Sequence, residues 1–134
     1  MKIDGACHCG SITYEASVDP QRVSVCNCTD CQVLSGSPFR VSVPSEPGTF
    51  TLRSGTPAVY VKTAESGNRR RQGFCATCGA PIYASADSDA PESYSLRVGG
   101  IRQRAQLPPK RRIWCGSALA WSQDVSGIPA VERQ

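Results

Sequence analysis

The sequence has no long apolar run, and this absence excludes whole classes of protein. No window is apolar enough to span a membrane, and the first ten residues (MKIDGACHCG) do not resemble a secretory signal peptide. We therefore expect a cytoplasmic protein. In that reducing compartment, clustered cysteines more often bind metal or take part in chemistry than form disulfides.

The sequence also lacks a large excess of charge of either sign. Its 134 residues carry 15 Lys and Arg against 11 Asp and Glu, a formal net charge of +4. If seven of the eight cysteines bind two zinc ions as thiolates, the net charge falls to about +1. No set of aromatic residues suited to stacking on RNA bases is evident, so we do not expect a nucleic-acid partner.

Short alternating or β-branched segments dominate what is present. Residues 1–134 fit one domain, and 12 Gly and 10 Pro predict many turns. Six segments have the pattern of strands: Ser11–Ser17, Phe39–Val43, Thr49–Arg53, Ala58–Thr63, Ile82–Ala84 and Tyr94–Val98. The segment Ala64–Asn68 predicts a hairpin turn before RRRQGF. We predict an all-β domain.

One short helical turn is expected after the second group of cysteines. The Thr29 hydroxyl is well placed to cap the amide of Cys31 or Gln32, and Gly36 would end the segment.

The eight cysteines form three clusters and one isolated residue, Cys115. The two outer clusters are pairs: Cys7 with Cys9, and Cys75 with Cys78. A glycine follows each pair directly, which allows a tight turn with positive φ and lets amides approach the thiolates. Because zinc prefers about four soft ligands in a tetrahedron, the matching pairs predict one structural four-cysteine zinc site. Disulfides or redox chemistry are the alternative, although no βαβ pattern surrounds Cys75–Cys78 as in thioredoxin-like proteins.

The middle cluster, Cys26, Cys28 and Cys31, offers three thiolates without an obvious fourth ligand. A zinc ion with three protein ligands and an open position is typical of catalytic sites. Three thiolates donate so much charge that the zinc would activate water poorly, so the cluster favours thiol chemistry over hydrolysis. Two alternatives stay open: a second structural zinc completed by Cys115 or His8, and a metal-free set of reactive thiols.

Three stretches together carry a resemblance to a known family. GACHCGSITYE, CNCTDCQVLSGSPF and GFCATCGAPIY, in this order, resemble the glutathione-dependent formaldehyde-activating enzyme family, which includes the centromere protein V type of domain. The resemblance runs from about Gly5 to Trp121. It implies a β-tent fold of antiparallel sheets with zinc knuckles.

The resemblance also implies a metal content and an activity. A structural zinc would be held by Cys7, Cys9, Cys75 and Cys78, and a second, less firmly held zinc by Cys26, Cys28 and Cys31. Glutathione would bind near the second zinc, and the activity would be that of a carbon–sulfur lyase that handles S-hydroxymethylglutathione. A zinc-binding or thiol-binding module without turnover, or an interaction scaffold, is the alternative function.

The chain departs from the family pattern near the expected pocket. Asn27 stands where many members have His, and Arg112 replaces the His of a His-Ile-Trp tripeptide. The stretch Leu119-Ala120-Trp121 stands in place of Ala-Pro-Trp. Such changes bear on the substrate more than on the fold.

The substrate-binding residues are expected beside the second cluster. We expect Ser37, Phe39 and Arg112 to line the thiol pocket. The clusters Arg69–Arg71 and Lys110–Arg112 are expected to be solvated surface charge, and the alternative is that one of them binds a glutathione carboxylate. His8 is expected at the surface, and Cys115 as a buried small hydrophobic residue.

Overall fold

The computed structural model describes all residues from 1 to 134 and contains ten strands and one α-helix. The strands and the helix are β1 (Lys2–Ala6), β2 (Thr13–Ser17), β3 (Ser24–Cys26), α1 (Thr29–Ser35), β4 (Arg40–Pro44), β5 (Thr51–Ser54), β6 (Ala58–Thr63), β7 (Arg69–Phe74), β8 (Pro81–Ala86), β9 (Ser95–Arg97) and β10 (Arg111–Ile113). Short 3₁₀ turns occupy Pro20–Arg22, Val98–Gly100, Arg104–Gln106, Cys115–Ser117 and Ala120–Gln123. With 7 residues, α1 is far too short to cross a bilayer, and the structure offers no other helix that could.

The strands form two sheets. The smaller has the order β1-β2-β5, and the larger has the order β10-β3-β4-β9-β8-β7-β6. This mostly-β architecture with one helix confirms the predicted fold class. One pair departs from the antiparallel arrangement, because β10 runs parallel to β3. More than eighty residues separate these two strands, so no tight hairpin constrains their relative direction.

The predicted hairpin joins β6 to β7. The two strands pair antiparallel from Ala58 opposite Phe74 to Thr63 opposite Arg69. Gly67 closes the turn with a φ of +83°, and its amide donates to the carbonyl of Ala64 at 2.9 Å. Positive φ is readily available to glycine, which is why the turn forms at this position.

Helix α1 begins and ends close to the predicted residues, but its N-terminal cap is a sulfur atom. Cys28 has an extended backbone, and its Sγ accepts a hydrogen bond from the amide of Cys31 at 3.3 Å. The predicted hydroxyl cap was therefore wrong, because Thr29 already lies inside the helix. Gly36 ends the helix as predicted, with a φ of +62° and its amide bonded to the carbonyl of Gln32.

The hydrophobic core contains 15 buried residues contributed by both sheets and by the loops between them. Tyr14 of the smaller sheet and Val43 and Leu96 of the larger belong to it. Cys7 and Cys75 are members as well, at 4% and 2% exposure. The first cysteine of each outer pair is thus anchored in the core.

Candidate metal centres

The four outer cysteines converge into one group. The Sγ atoms of Cys7, Cys9, Cys75 and Cys78 all lie within 4.8 Å of one another. Cys9 Sγ lies 3.6 Å from Cys7 Sγ and 3.8 Å from Cys75 Sγ. A tetrahedron with metal–sulfur bonds of about 2.3 Å has its sulfurs about 3.8 Å apart. The observed spacing therefore fits a metal ion of that size.

Two tight turns position these sulfurs. Gly10 and Gly79 have φ of +80° and +75°, which confirms the predicted turn after each pair. Their amides bond back to the carbonyls of Cys7 and Cys75 at 3.1 and 2.8 Å. The amide of Ile12 donates to Cys7 Sγ at 3.3 Å, as expected when a thiolate is stabilised by nearby backbone.

Hydrogen bonds around Cys7 and Cys75 favour their thiolate form, which is the form that binds metal. The Ser11 hydroxyl, followed by the amide of Cys78, lowers the pKa of Cys75 to about 5. Burial raises the pKa of Cys7, but the amide of Ile12 and the Ser11 hydroxyl outweigh it, and the net direction is downward.

The pKa of Cys9 is raised: the Ser11 hydroxyl and amide act to lower it, but the bond to Cys7, burial and the bond to Cys75 outweigh them. The sequence does not single out Ser11. Its only signal there is its position two residues after Cys9.

The three middle cysteines form a second group. The Sγ atoms of Cys26, Cys28 and Cys31 lie within 4.8 Å of one another, and all three residues are half-buried. Cys26 ends β3, Cys28 caps α1, and Cys31 lies in the first turn of α1. No histidine, cysteine or carboxylate joins this group as a fourth member. The three sulfurs could hold a metal ion and leave one position to another ligand.

Within the second group, one hydrogen bond shifts the pKa values of Cys26 and Cys31 in opposite directions. The hydrogen bond from Cys31 lowers the pKa of Cys26 against the effect of burial. The same interaction, followed by burial, raises the pKa of Cys31. Three thiolates so close together repel one another, so full ionisation requires a cation among them.

Neither of the two alternative fourth ligands belongs to the second group. His8 is exposed, as expected, and Cys115 is exposed rather than buried. The expectation of a buried Cys115 was wrong because the chain leaves β10 sharply at this point. Trp114 takes a left-handed backbone conformation with a φ of +55°, and a 3₁₀ turn carries Cys115 into solvent.

Two cavities lie near the second group. The first measures about 170 Å³ and is lined by Cys28, Asp30, Lys62 and Trp114 among others. The Lys62 ammonium donates to the Asp30 carboxylate at 2.7 Å within this lining. Trp114 is 52% exposed, so its ring forms part of the rim.

The second cavity measures about 460 Å³ and is lined by chain neighbours of both cysteine groups, among them His8 and Ser35, but by none of the cysteines. Ser37 and Phe39, two of the residues expected in the thiol pocket, line it together with His8, Arg40 and Arg97. The third expected residue, Arg112, is exposed on β10 and lines neither cavity.

Comparison with known proteins identifies the family. A family model described as glutathione-dependent formaldehyde-activating enzyme (GFA) matches residues 2–117. The chain belongs to this family. No curated protein gives a significant sequence match. The crystal structure of a Rhodobacter sphaeroides protein is 18% identical, with a TM-score of 0.61 over 81% of this chain and 98% of that one, which shows a shared fold.

Asn27, which lies between two cysteines of the second group, is held in place by hydrogen bonds. It is 1% exposed, and its side-chain amide donates to the carbonyl of Ile113 at 3.1 Å. Gln32 in turn donates to the carbonyls of Asn27 and Ser117 at 2.9 and 3.0 Å. These bonds fasten the loop of the second cysteine group to β10 and the turn after it.

The two buried arginines, Arg40 and Arg97, line the larger cavity and were not expected there from the sequence. Each lies on a strand of this GFA domain, where a single arginine in the sequence is expected to face solvent. The strand register brings both arginines to the cavity. It places Arg40 opposite Cys26 and Arg97 opposite Ser42.

Proposed function

We propose that the protein is a zinc-dependent carbon–sulfur lyase, or synthase in the reverse direction, that acts on an adduct of a small aldehyde with a glutathione-type thiol. S-hydroxymethylglutathione is the reference substrate. Membership of the GFA family supports the substrate class. The observation that carries the proposal is a group of three half-buried cysteine sulfurs, without a fourth protein ligand, beside a cavity.

Zinc is the metal that best suits both cysteine groups. All the donors are sulfur atoms, which zinc accepts readily, and the first group has the spacing of a tetrahedral site. We infer a structural zinc at Cys7, Cys9, Cys75 and Cys78, because Cys7 and Cys75 belong to the core. We infer a second zinc at Cys26, Cys28 and Cys31.

The reaction needs a thiolate close to the carbonyl carbon of an aldehyde. In the synthetic direction a carbon–sulfur bond forms, the carbonyl double bond becomes single, and the thiol proton ends on the new hydroxyl. No atom is oxidised or reduced. Zinc bound at the second group would supply a soft Lewis acid that keeps the substrate sulfur deprotonated.

The chain supplies the surroundings of that sulfur. Cys28 and the Trp114 ring would bound the space in which a small aldehyde approaches, with the Lys62–Asp30 pair at its edge. Ser37 and Phe39 would contact the rest of the thiol in the larger cavity. Arg112, exposed on β10, would meet only a part of the ligand that extends into solvent.

The test compares zinc content and turnover in three proteins. The wild type should contain two zinc ions per chain and should form S-hydroxymethylglutathione from formaldehyde and glutathione, followed by exchange NMR. Cys28→Ser should stay folded, contain one zinc and lose the activity. Cys115→Ala is the matched control and should keep both zinc ions, because the Cys115 side chain is exposed and outside the second group.

Two results would contradict the proposal. If Cys115→Ala falls from two zinc ions to one, the second site is closed by a fourth protein ligand and the protein is a scaffold. If Cys28→Ser unfolds as completely as a variant of the four-cysteine group, the second site is structural.

A further inference from the structure

Two buried arginines lie on one face of the larger sheet. Arg40 and Arg97 are 6% and 8% exposed. Arg40 is paired with Cys26 across β3 and β4, and Arg97 is paired with Ser42 across β4 and β9. Because alternate residues of a strand share a face, both arginines lie on the side that carries Cys26, opposite the core residues Val43 and Leu96.

The two guanidinium groups have only neutral acceptors. Arg97 donates to Ser42 Oγ at 2.9 Å and to Gln72 Oε1 at 2.8 Å, while Arg40 reaches the same Gln72 oxygen at 3.4 Å. Neither arginine forms an ion pair with a carboxylate. The Nε atoms of both are buried without a hydrogen-bond partner. Buried charges are normally paired, so this arrangement lacks an anion.

The nearby cysteines favour the charged form of Arg97, but burial and Arg40 outweigh them. Burial, followed by the charge of Arg40, lowers the pKa of Arg97 to about 9, while Cys31 and Cys26 act in the opposite direction. Arg97 therefore remains protonated at neutral pH, beside a second guanidinium.

Both arginines line the cavity of about 460 Å³ that also contains the predicted substrate residues Ser37 and Phe39. Cavities of this size commonly hold small-molecule ligands. Arginine pairs with carboxylates through two parallel N–H···O bonds, which makes a carboxylate the best-matched anion.

The basic clusters that were the sequence's alternative carboxylate sites are less suitable. Arg69 and Arg71 each bond to Asp87 at 2.8 Å, and Arg71 also bonds to Asp89. The positive charges of Arg69 and Arg71 are thus already paired with carboxylates on the surface. Arg112 lies outside both cavities.

We propose that Arg40 and Arg97 form a carboxylate-binding subsite that selects an acidic thiol, such as glutathione, over a neutral one. The selection of a thiol rests on the proposed function, whereas binding of the carboxylate does not. The subsite acts on affinity for the substrate and takes no part in forming the carbon–sulfur bond.

The experiment uses S-methylglutathione, which keeps both carboxylates of glutathione but has no free thiol. We expect calorimetric titration of the zinc-loaded full chain to show binding that Arg40→Met and Arg97→Met each weaken about tenfold or more. Arg22→Met is the matched control, because Arg22 is exposed and forms no ion pair, and should change the affinity less than about twofold. Binding of 2-mercaptoethanol, a neutral thiol, should be the same in all four proteins.

Several outcomes would overturn the subsite. One is a wild type that does not bind S-methylglutathione, and another is equal binding by the Met variants. Loss of one zinc from either variant would mean that the arginines balance the negative charge of the cysteine thiolates and do not bind a ligand carboxylate. Failure of both variants to fold would give them a structural role. If S-methylglutathione binds as expected but no aldehyde adduct is turned over, the proposed function is contradicted while the carboxylate-binding subsite is still supported.

Discussion

At the scale of single residues, the two cysteine groups differ in what surrounds each sulfur. Cys7 and Cys75 are buried in the core, and the turns that position them end in glycines with positive φ. The three members of the second group are half-buried and lie at the ends of short elements. Loss of a cysteine from the first group should therefore unfold the protein, whereas loss of one from the second group should leave it folded.

We expect Cys75→Ser to abolish folding. A structural zinc in a small domain contributes roughly 10 kcal/mol of apparent binding energy, which is comparable to the whole stability of a domain. Circular dichroism and zinc content of the purified protein measure this. Cys115→Ser, at an exposed cysteine, is the control and should fold normally. A Cys75→Ser protein that melts cooperatively and keeps all its zinc would show that Cys75 is not a ligand.

At the scale of elements, the sequence predicted the strands that have clear alternation and missed those that do not. The hairpin of β6 and β7 was predicted almost to the residue. Strands β3 and β10 have three residues each and β1 contains a glycine, although the equally short β9 was predicted within Tyr94–Val98. Strands β3 and β10 pair with each other across more than eighty residues, and this information is not local.

The end of α1 offers a test of the backbone argument. Gly36→Ala should lower the free energy of unfolding by about 1 kcal/mol, because its φ of +62° is unfavourable for a residue with a Cβ. The added methyl group would meet no atom within 4 Å, so the loss is conformational rather than steric. Chemical denaturation of the zinc-loaded protein measures it.

Gly116→Ala is the matched control, since Gly116 also has open space around its Cβ position but does not have a positive φ. It should leave the stability nearly unchanged. If both variants lose the same free energy of unfolding, the left-handed conformation of Gly36 is not the cause of the loss.

At the scale of the whole molecule, the two cysteine groups and part of the cavity lining, Ser37 and Phe39, were predictable, whereas the buried arginines were not. Cysteine spacing identifies both groups, and the glycines after the two outer pairs mark the first, because these features depend on residues close in sequence. Arg40 and Arg97 come together only through the register of β3, β4 and β9. The exposure of Cys115 depends on one left-handed residue, Trp114, which nothing in the local sequence demands.

The central claim is that the second cysteine group holds a zinc ion with one position open to a thiol. X-ray absorption at the zinc edge, on the zinc-loaded full chain with and without glutathione, tests this most directly. Four sulfurs at one group and three at the other predict an average of about 3.5 sulfurs per zinc, rising to about 4 when glutathione is added. An average of about 4 before any thiol is added, or one that glutathione leaves unchanged, would contradict the claim.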